Sequence, residues 1–291
     1  MEIIFNNKYK GKDIIGKGGF GIIYKVLEIE TKKFYALKLI TIVENNEIKK
    51  FKEEYEKEIE VMKTMKNKYI IELKDYFLDK KNKGYCIVME LCDGNLRQIL
   101  NKYKSKGLPI NIINKIFIQL NEALNVMINN KYYHRDLKPE NILIKYTDKN
   151  KTNFDIKLTD FGLSSNEINS IVKSHSNVGS EKYKAPEVDD FEYNNKIDLW
   201  SLGIILYELY TNKYIFDSSN PKERKINREK GIVKETDNEM INKLIRKLIQ
   251  VDISKRISWE EYFNDDFFKI KEEKEKNKKS ESELNSNLLV K

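Results

Sequence analysis

The octet His134-Arg135-Asp136-Leu137-Lys138-Pro139-Glu140-Asn141 constrains this chain more than any other stretch. Proline fixes its own φ, removes a backbone donor and pushes the preceding residue out of the helical region, so the octet is a rigid loop and not a helix interior. It sets an acid, Asp136, two residues before a cation, Lys138, and five before an amide, Asn141. Such a loop can hold a base, a charge stabiliser and a metal ligand side by side. Moving a phosphoryl group demands that arrangement, because it needs orientation and charge neutralisation more than covalent chemistry by the protein. A solvated polar turn would not require this order of residue types.

The rest of the chain must therefore build a scaffold around a loop. At 291 residues it is long enough for about two domains, or one two-lobed unit with a large core. The net charge of +8 is read as lysines spread over solvated faces in preference to a dedicated basic patch, so no specific nucleic-acid partner is expected. Cys86 and Cys92 have neither CxxC spacing nor a neighbouring histidine, which argues against a zinc site and for a reducing compartment. Residues 1–10 lack the apolar run of a signal peptide, and no stretch of about 18 apolar residues could span a membrane. A cytoplasmic location is expected, with the nucleus left open.

Residues 9–25 read as strand, glycine turn and strand, with Gly16, Gly18 and Gly21 in the turn. A dinucleotide site would also begin with such glycines, but it needs a helix immediately after them. Here Ile22, Ile23 and Val26 continue a β-branched run, which favours a flap whose backbone N–H groups cover phosphates. The next strand, residues 34–40, carries one lysine, Lys38, and a buried lysine requires a carboxylate. Residues 46–65 have helical periodicity through Ile48, Phe51, Tyr55, Ile59, Met62 and Met65. Glu58, beside that stripe at its apolar end, is the preferred partner; Glu54 competes with it.

Residues 69–78 and 85–91 read as two further strands. Gly94 and Asn95 then break the pattern, so residues 90–96 are taken as a hinge between a strand-rich and a helix-rich lobe. A ligand belongs in the cleft between them. Backbone groups of Glu90 and Cys92 could read an adenine edge there, and Asn95 a ribose. Residues 112–129 have helical spacing, while 142–144 and 155–159 are short strands, the second running into Asp160-Phe161-Gly162. A carboxylate at a strand end followed by glycine suits a metal ligand on a mobile loop.

In this order and spacing the chain resembles the eukaryotic-type protein kinases over residues 9–268. The resemblance rests on Gly16, Gly18, Gly21 and Ile23, on Tyr35-Ala36-Leu37-Lys38, on Glu58 and on the octet. It continues through Asp160-Phe161-Gly162, Ala185-Pro186-Glu187, the Asp198, Trp200, Ser201 and Gly203 set, and Arg256. It implies an α+β bilobal fold: a small antiparallel-sheet N-lobe over 1–91, a larger mainly helical C-lobe over 92–270, and a charged tail at 271–291. It also implies ATP and Mg²⁺. Lys38 would hold the α- and β-phosphates and pair with Glu58. Asp136 would accept the substrate proton, Lys138 would neutralise the transferring group, and Asn141 and Asp160 would bind Mg²⁺. Ile23, Ala36 and Leu143 would sandwich adenine. Met62, Leu73, Phe161 and His134 would form a packed column, Glu187 and Arg256 a buried ion pair, and Asp198 a brace for the octet.

Lys138 and the run Gly179-Ser180-Glu181-Lys182-Tyr183 resemble the serine/threonine-specific members, with the Ser180 hydroxyl expected to bond Asp136 and Lys138. The implied partners are protein substrates with Ser or Thr acceptors. Arg135, expected to be buried, implies control by phosphorylation between Asp160 and Glu187, by an upstream kinase or by the chain itself. Ser164, Ser165, Ser170, Ser174 and Ser176 are the candidates there, the last two nearest the usual position. The region 216–239 is shorter and more charged than its counterpart in the family, which leaves the substrate sequence open, and Glu140 is compatible with binding a basic substrate residue. Two other readings are a silent scaffold and a small-molecule kinase. The first would have lost the lysine, the two acids or the asparagine, and all four are present; the second lacks a reason for the protein-substrate platform at 179–187.

Overall fold

The computed structural model describes residues 3–18, 21–41, 48–103, 106–164, 180–188, 193–218 and 220–269. Its N-terminal part is a six-stranded antiparallel sheet of order β1-β2-β3-β4-β6-β5. The strands are β1 (Ile4–Phe5), β2 (Tyr9–Gly18), β3 (Gly21–Glu28), β4 (Phe34–Thr41), β5 (Leu73–Asp79) and β6 (Gly84–Glu90), with helix α1 (Ile48–Thr64) between β4 and β5. Side chains alternate across a strand, so Leu37 and Leu39 face one side with Tyr9, Tyr24, Val26 and Val88. Ala36 and Ile40 face the other, towards Tyr55, Ile59 and Met62 of α1. Lys38 falls on that second face.

The two strands that flank the glycines pair antiparallel as expected, with Gly16 opposite Ile23 and Gly18 opposite Gly21. Gly21 has φ +124°, and a Cβ there would stand 2.2 Å from the Leu39 carbonyl oxygen, so only glycine fits. One strand starts later than its sequence suggests. Residues 69–72 precede β5, and Tyr69 and Ile71 hydrogen-bond Leu158 instead, around a parallel bridge of Ile70 to Leu158. Their apolar character comes from packing between the two halves of the molecule, not from sheet pairing.

The second part begins with β7 (Gly94–Asn95) and α2 (Leu96–Lys102), continues with α3 (Ile110–Asn129), and forms a three-stranded antiparallel sheet of β7, β8 (Ile142–Tyr146) and β9 (Phe154–Leu158). Helix α4 (Ile197–Thr211) is the centre of this half. Every residue from Ile197 to Leu209 is buried, which explains a sequence apolar on all faces. Around it lie α5 (Pro221–Lys230), α6 (Glu239–Leu248) and α7 (Trp259–Phe263). The charged stretch expected to depart from the family therefore contains a helix, capped by Asn220 and ended by Gly231 at φ +62°. Among the described residues no helix is long and apolar enough to cross a membrane. The tail 271–291 lies outside the described residues.

Candidate active site

Lys38 reaches three carboxylate oxygens. Its Nζ is 2.8 and 3.0 Å from Glu58 Oε2 and Oε1, and 2.9 Å from Asp160 Oδ1. Strand β4, helix α1 and the turn after β9 are thus joined through one ammonium. Burial by itself would lower the lysine's pKa; the two carboxylates outweigh it and hold the group above its ordinary range. Asp160 shows the mirror effect: burial would raise its carboxyl, and Lys38 brings it below the usual carboxylate range. The Glu54 side chain lies outside the described residues.

The octet is held from below by Asp198, in the first turn of α4, whose two oxygens accept the backbone N–H groups of His134 and Arg135. Pro139, Glu140 and Asn141 form one turn of 3-10 helix with proline at its start. Within the loop, Asp136 Oδ2 receives Lys138 Nζ and, at 3.2 Å, Asn141 Nδ2, which also donates to the Asp136 carbonyl. Ser180 reaches the pair differently from expectation. Its hydroxyl accepts from Lys138 at 2.8 Å, but its backbone N–H, not its hydroxyl, donates to Asp136 Oδ1 at 2.9 Å. His134 is occupied on both ring nitrogens. Nε2 lies 2.9 Å from the Thr159 carbonyl, and Nδ1 accepts from the Asp136 N–H, an assignment that fixes the tautomer. Its ring packs 5.5 Å from that of Phe161.

Arg135 is half-buried rather than buried, and its guanidinium stacks over Tyr193 at 5.8 Å. Its φ of +66°, and +70° at Asp160, put two non-glycine residues in the left-handed region at the centre of the site. Ser164 has no exposed surface, which removes it from the accessible hydroxyls in this state. Ser165, Ser170, Ser174, Ser176 and Gly179 lie outside the described residues.

Among the residues expected to receive a nucleotide, Ile23 pairs with Lys38 across β3 and β4, Ala36 with Met89 across β4 and β6, and Asn95 with Leu143 across β7 and β8. Asn95 caps α2: its side-chain oxygen accepts from the Gln98 N–H while the Gln98 side chain accepts from the Asn95 N–H. The oxygen is thereby spent on the helix. The Glu90 carboxylate pairs with Lys145 and Lys157 and accepts from the Glu72 N–H. Burial pushes the Cys92 thiol up to about 12, so it is an inert wall of the hinge.

Sequence reasoning missed the cluster beside the octet. Arg97 of α2 donates to Glu140 Oε1 at 2.7 Å and to both oxygens of Glu208, at 2.9 and 3.0 Å, and also to the Tyr183 hydroxyl. The readable signal was Glu208 itself, an acid inside the apolar run of α4.

The chain belongs to the protein kinase family: residues 9–268 match the protein kinase domain model. It is 32% identical to a serine/threonine-protein kinase of Acanthamoeba polyphaga mimivirus over 92% of this chain and 64% of the relative. It is 35% identical to the serine/threonine-protein kinase TIO of Arabidopsis thaliana over 69% of this chain and 14% of that protein. A third relative, the serine/threonine-protein kinase ATG1 of Debaryomyces hansenii, is 29% identical over 95% of this chain and 36% of its own length. The chain therefore spans less than two thirds of these relatives. The bilobal kinase architecture expected from the motifs is the one the sheets and helices form.

Proposed function

We propose that this chain is an ATP- and Mg²⁺-dependent kinase of Ser and Thr hydroxyls in protein substrates. The observation that carries the reading is the convergence of Lys138, Asn141 and the Ser180 backbone on the one carboxylate of Asp136, beside a Lys38–Glu58–Asp160 triad. The reading as a silent scaffold would leave this polar constellation without a purpose. All members of the family's named relatives quoted above are serine/threonine kinases by name.

The donor set fits a hard cation. Both hydrogen bonds of the Asn141 amide nitrogen go to Asp136, which leaves its oxygen as a ligand, and Asp160 keeps Oδ2 beyond the oxygen that Lys38 takes. Mg²⁺, held by Asn141 and Asp160, would supply charge neutralisation on the ATP phosphates. Lys38, fixed by Glu58, would hold the α- and β-phosphates. Asp136 would orient the acceptor hydroxyl and take its proton, and Lys138, beside it, would balance the negative charge on the transferring group. Ser180 ties the acceptor platform to both. The backbone of residues 90–92 and the apolar surfaces of Ile23, Ala36 and Leu143 would receive the adenine. Activation by phosphorylation near Arg135, and a cytoplasmic setting, are part of the same proposal.

The test is transfer of labelled phosphate from ATP to a generic basic protein with Mg²⁺, with Asp136→Asn in parallel. Label on Ser or Thr that the variant loses while still binding ATP supports the mechanism; turnover retained by the variant sinks it.

A further inference from the structure

Glu140 follows Asp136 by four residues in the same rigid loop, and Tyr183 follows Ser180, which contacts Asp136, by three. The acidic pair Glu140 and Glu208 thus stands next to the place where an acceptor hydroxyl must lie. Two carboxylates so placed would attract a basic side chain from a substrate. Here the position is taken by the chain's own Arg97, whose Nε donates to Glu140 and whose two terminal nitrogens bind Glu208 side-on, with the Tyr183 hydroxyl as a further acceptor. Lys182 adds a second cation, 3.2 Å from Glu208 Oε1. Two carboxylates meet two cations, and the formal charge of the cluster is zero. Planar, two-point pairing is the strongest form of guanidinium recognition, and Glu208, Arg97 and Tyr183 are largely screened from water, where such pairing is weakened least by salt.

We propose that Arg97 is a specificity-determining residue: an internal guanidinium that fills the acidic subsite beside the acceptor and so removes any preference for basic residues flanking the Ser or Thr. The inference rests on the kinase reading for the position of the acceptor. It assigns Glu140, which the sequence leaves compatible with binding a basic substrate residue, to Arg97 instead, because Oε1 of Glu140 is already engaged. Oε2 of Glu140 is buried without a hydrogen-bond partner. A buried oxygen is closed to a substrate side chain, so neither oxygen of Glu140 stands open to a substrate guanidinium.

The experiment uses the full chain and a pair of peptides with alanine at the acceptor position, one flanked by arginines and the other by citrulline, the neutral isostere. Binding is read by fluorescence anisotropy at physiological salt. For the unmodified protein the two affinities should agree within about threefold, and in Arg97→Ala the arginine peptide should gain at least about tenfold over its partner. Adding Glu140→Gln to Arg97→Ala should take back most of that gain. An unmodified protein that already prefers the arginine peptide by about tenfold overturns the proposal whatever the variants do, and so does a folded Arg97→Ala with an unchanged ratio. Transfer to the matching serine peptides is measured in parallel. Its absence from every peptide, with the binding pattern as expected, would refute the kinase reading and leave the filled subsite standing.

Discussion

Asp198 accepts hydrogen bonds from the backbone N–H groups of two successive residues, His134 at 2.7 Å and Arg135 at 2.8 Å. One carboxylate on a helix buried from Ile197 to Leu209 thereby fixes the entry into the octet, including the positive φ of Arg135. Removing it would leave two backbone donors unmatched, that of His134 buried and that of Arg135 part-buried, and release the backbone strain they help to hold. Asp198→Ala should cost about 2–5 kcal/mol of stability. Asp198→Asn, which keeps one oxygen, should cost less. Denaturant midpoints order the three proteins, and an alanine variant as stable as the unmodified chain contradicts the bracing role.

Lys38 stands between two carboxylates that would otherwise repel one another, so its loss has separable effects. Lys38→Met should lower phosphate transfer by about a hundredfold or more, because the phosphate-holding charge goes. It should also destabilise the fold by taking from the buried Glu58 carboxylate the ammonium that binds both its oxygens. Since that second effect belongs to the pair, Lys38→Met with Glu58→Gln should be less damaging to stability than the two single changes added together, by about 1–3 kcal/mol. Strict additivity in a double-mutant cycle would show that the short Lys38–Glu58 contact carries no net energy.

The parts of this site that were legible in the sequence are those in which order along the chain encodes geometry. The octet, the glycine hairpin and the single lysine in an apolar strand each combine residue types that no bland element requires; the structure joins Lys38 to Glu58 and Asp160, and Lys138, Asn141 and the Ser180 backbone to Asp136. The Lys38–Glu58 contact was reachable because α1 has a clear apolar stripe with Glu58 at its edge. Arg97 was not legible: its partners lie 43, 86 and 111 residues away, and an arginine on a short helix carries no pattern. The same holds for Glu90, whose side chain was silent in the sequence and finds Lys145 and Lys157 only once β8 and β9 fold against the hinge. Residues 69–72 misled for a different reason. An apolar run reports burial, and burial of Ile70 and Ile71 against β9 looks in the sequence like burial in the first sheet.

The Glu90 pair makes an acid-side prediction. Burial pushes this carboxyl up, but Lys145 and Lys157 more than offset it, so its pKa in the folded chain is below the ordinary 4.5. A depressed carboxylate contributes stability above its unfolded pKa and loses it as pH falls through the folded value. Glu90→Gln should therefore melt lower than the unmodified protein at neutral pH, by about 1–3 kcal/mol of stability. The two melting curves should converge as the pH is taken below 4.5. A gap that stays constant into acid would mean that the lysines do not stabilise the ionised form.

Arg256 offers the sharpest test of geometry against charge. Its guanidinium binds both oxygens of Glu187, donates to the Gln250 and Lys196 carbonyls, and lies 5.1 Å from the Trp200 ring, with no side-chain surface exposed. Lysine keeps the charge but has one nitrogen, so it can serve neither the two-point pair nor the carbonyls on both sides. Arg256→Lys should cost about 2–4 kcal/mol, close to the loss from Arg256→Ala, because most of the buried acceptors lose their donor in either case. Chemical unfolding of both variants decides the matter. Should lysine restore most of the stability, the charge opposite Glu187 would be what holds the segment 185–188 against the helical half, and the fork of hydrogen bonds would be incidental.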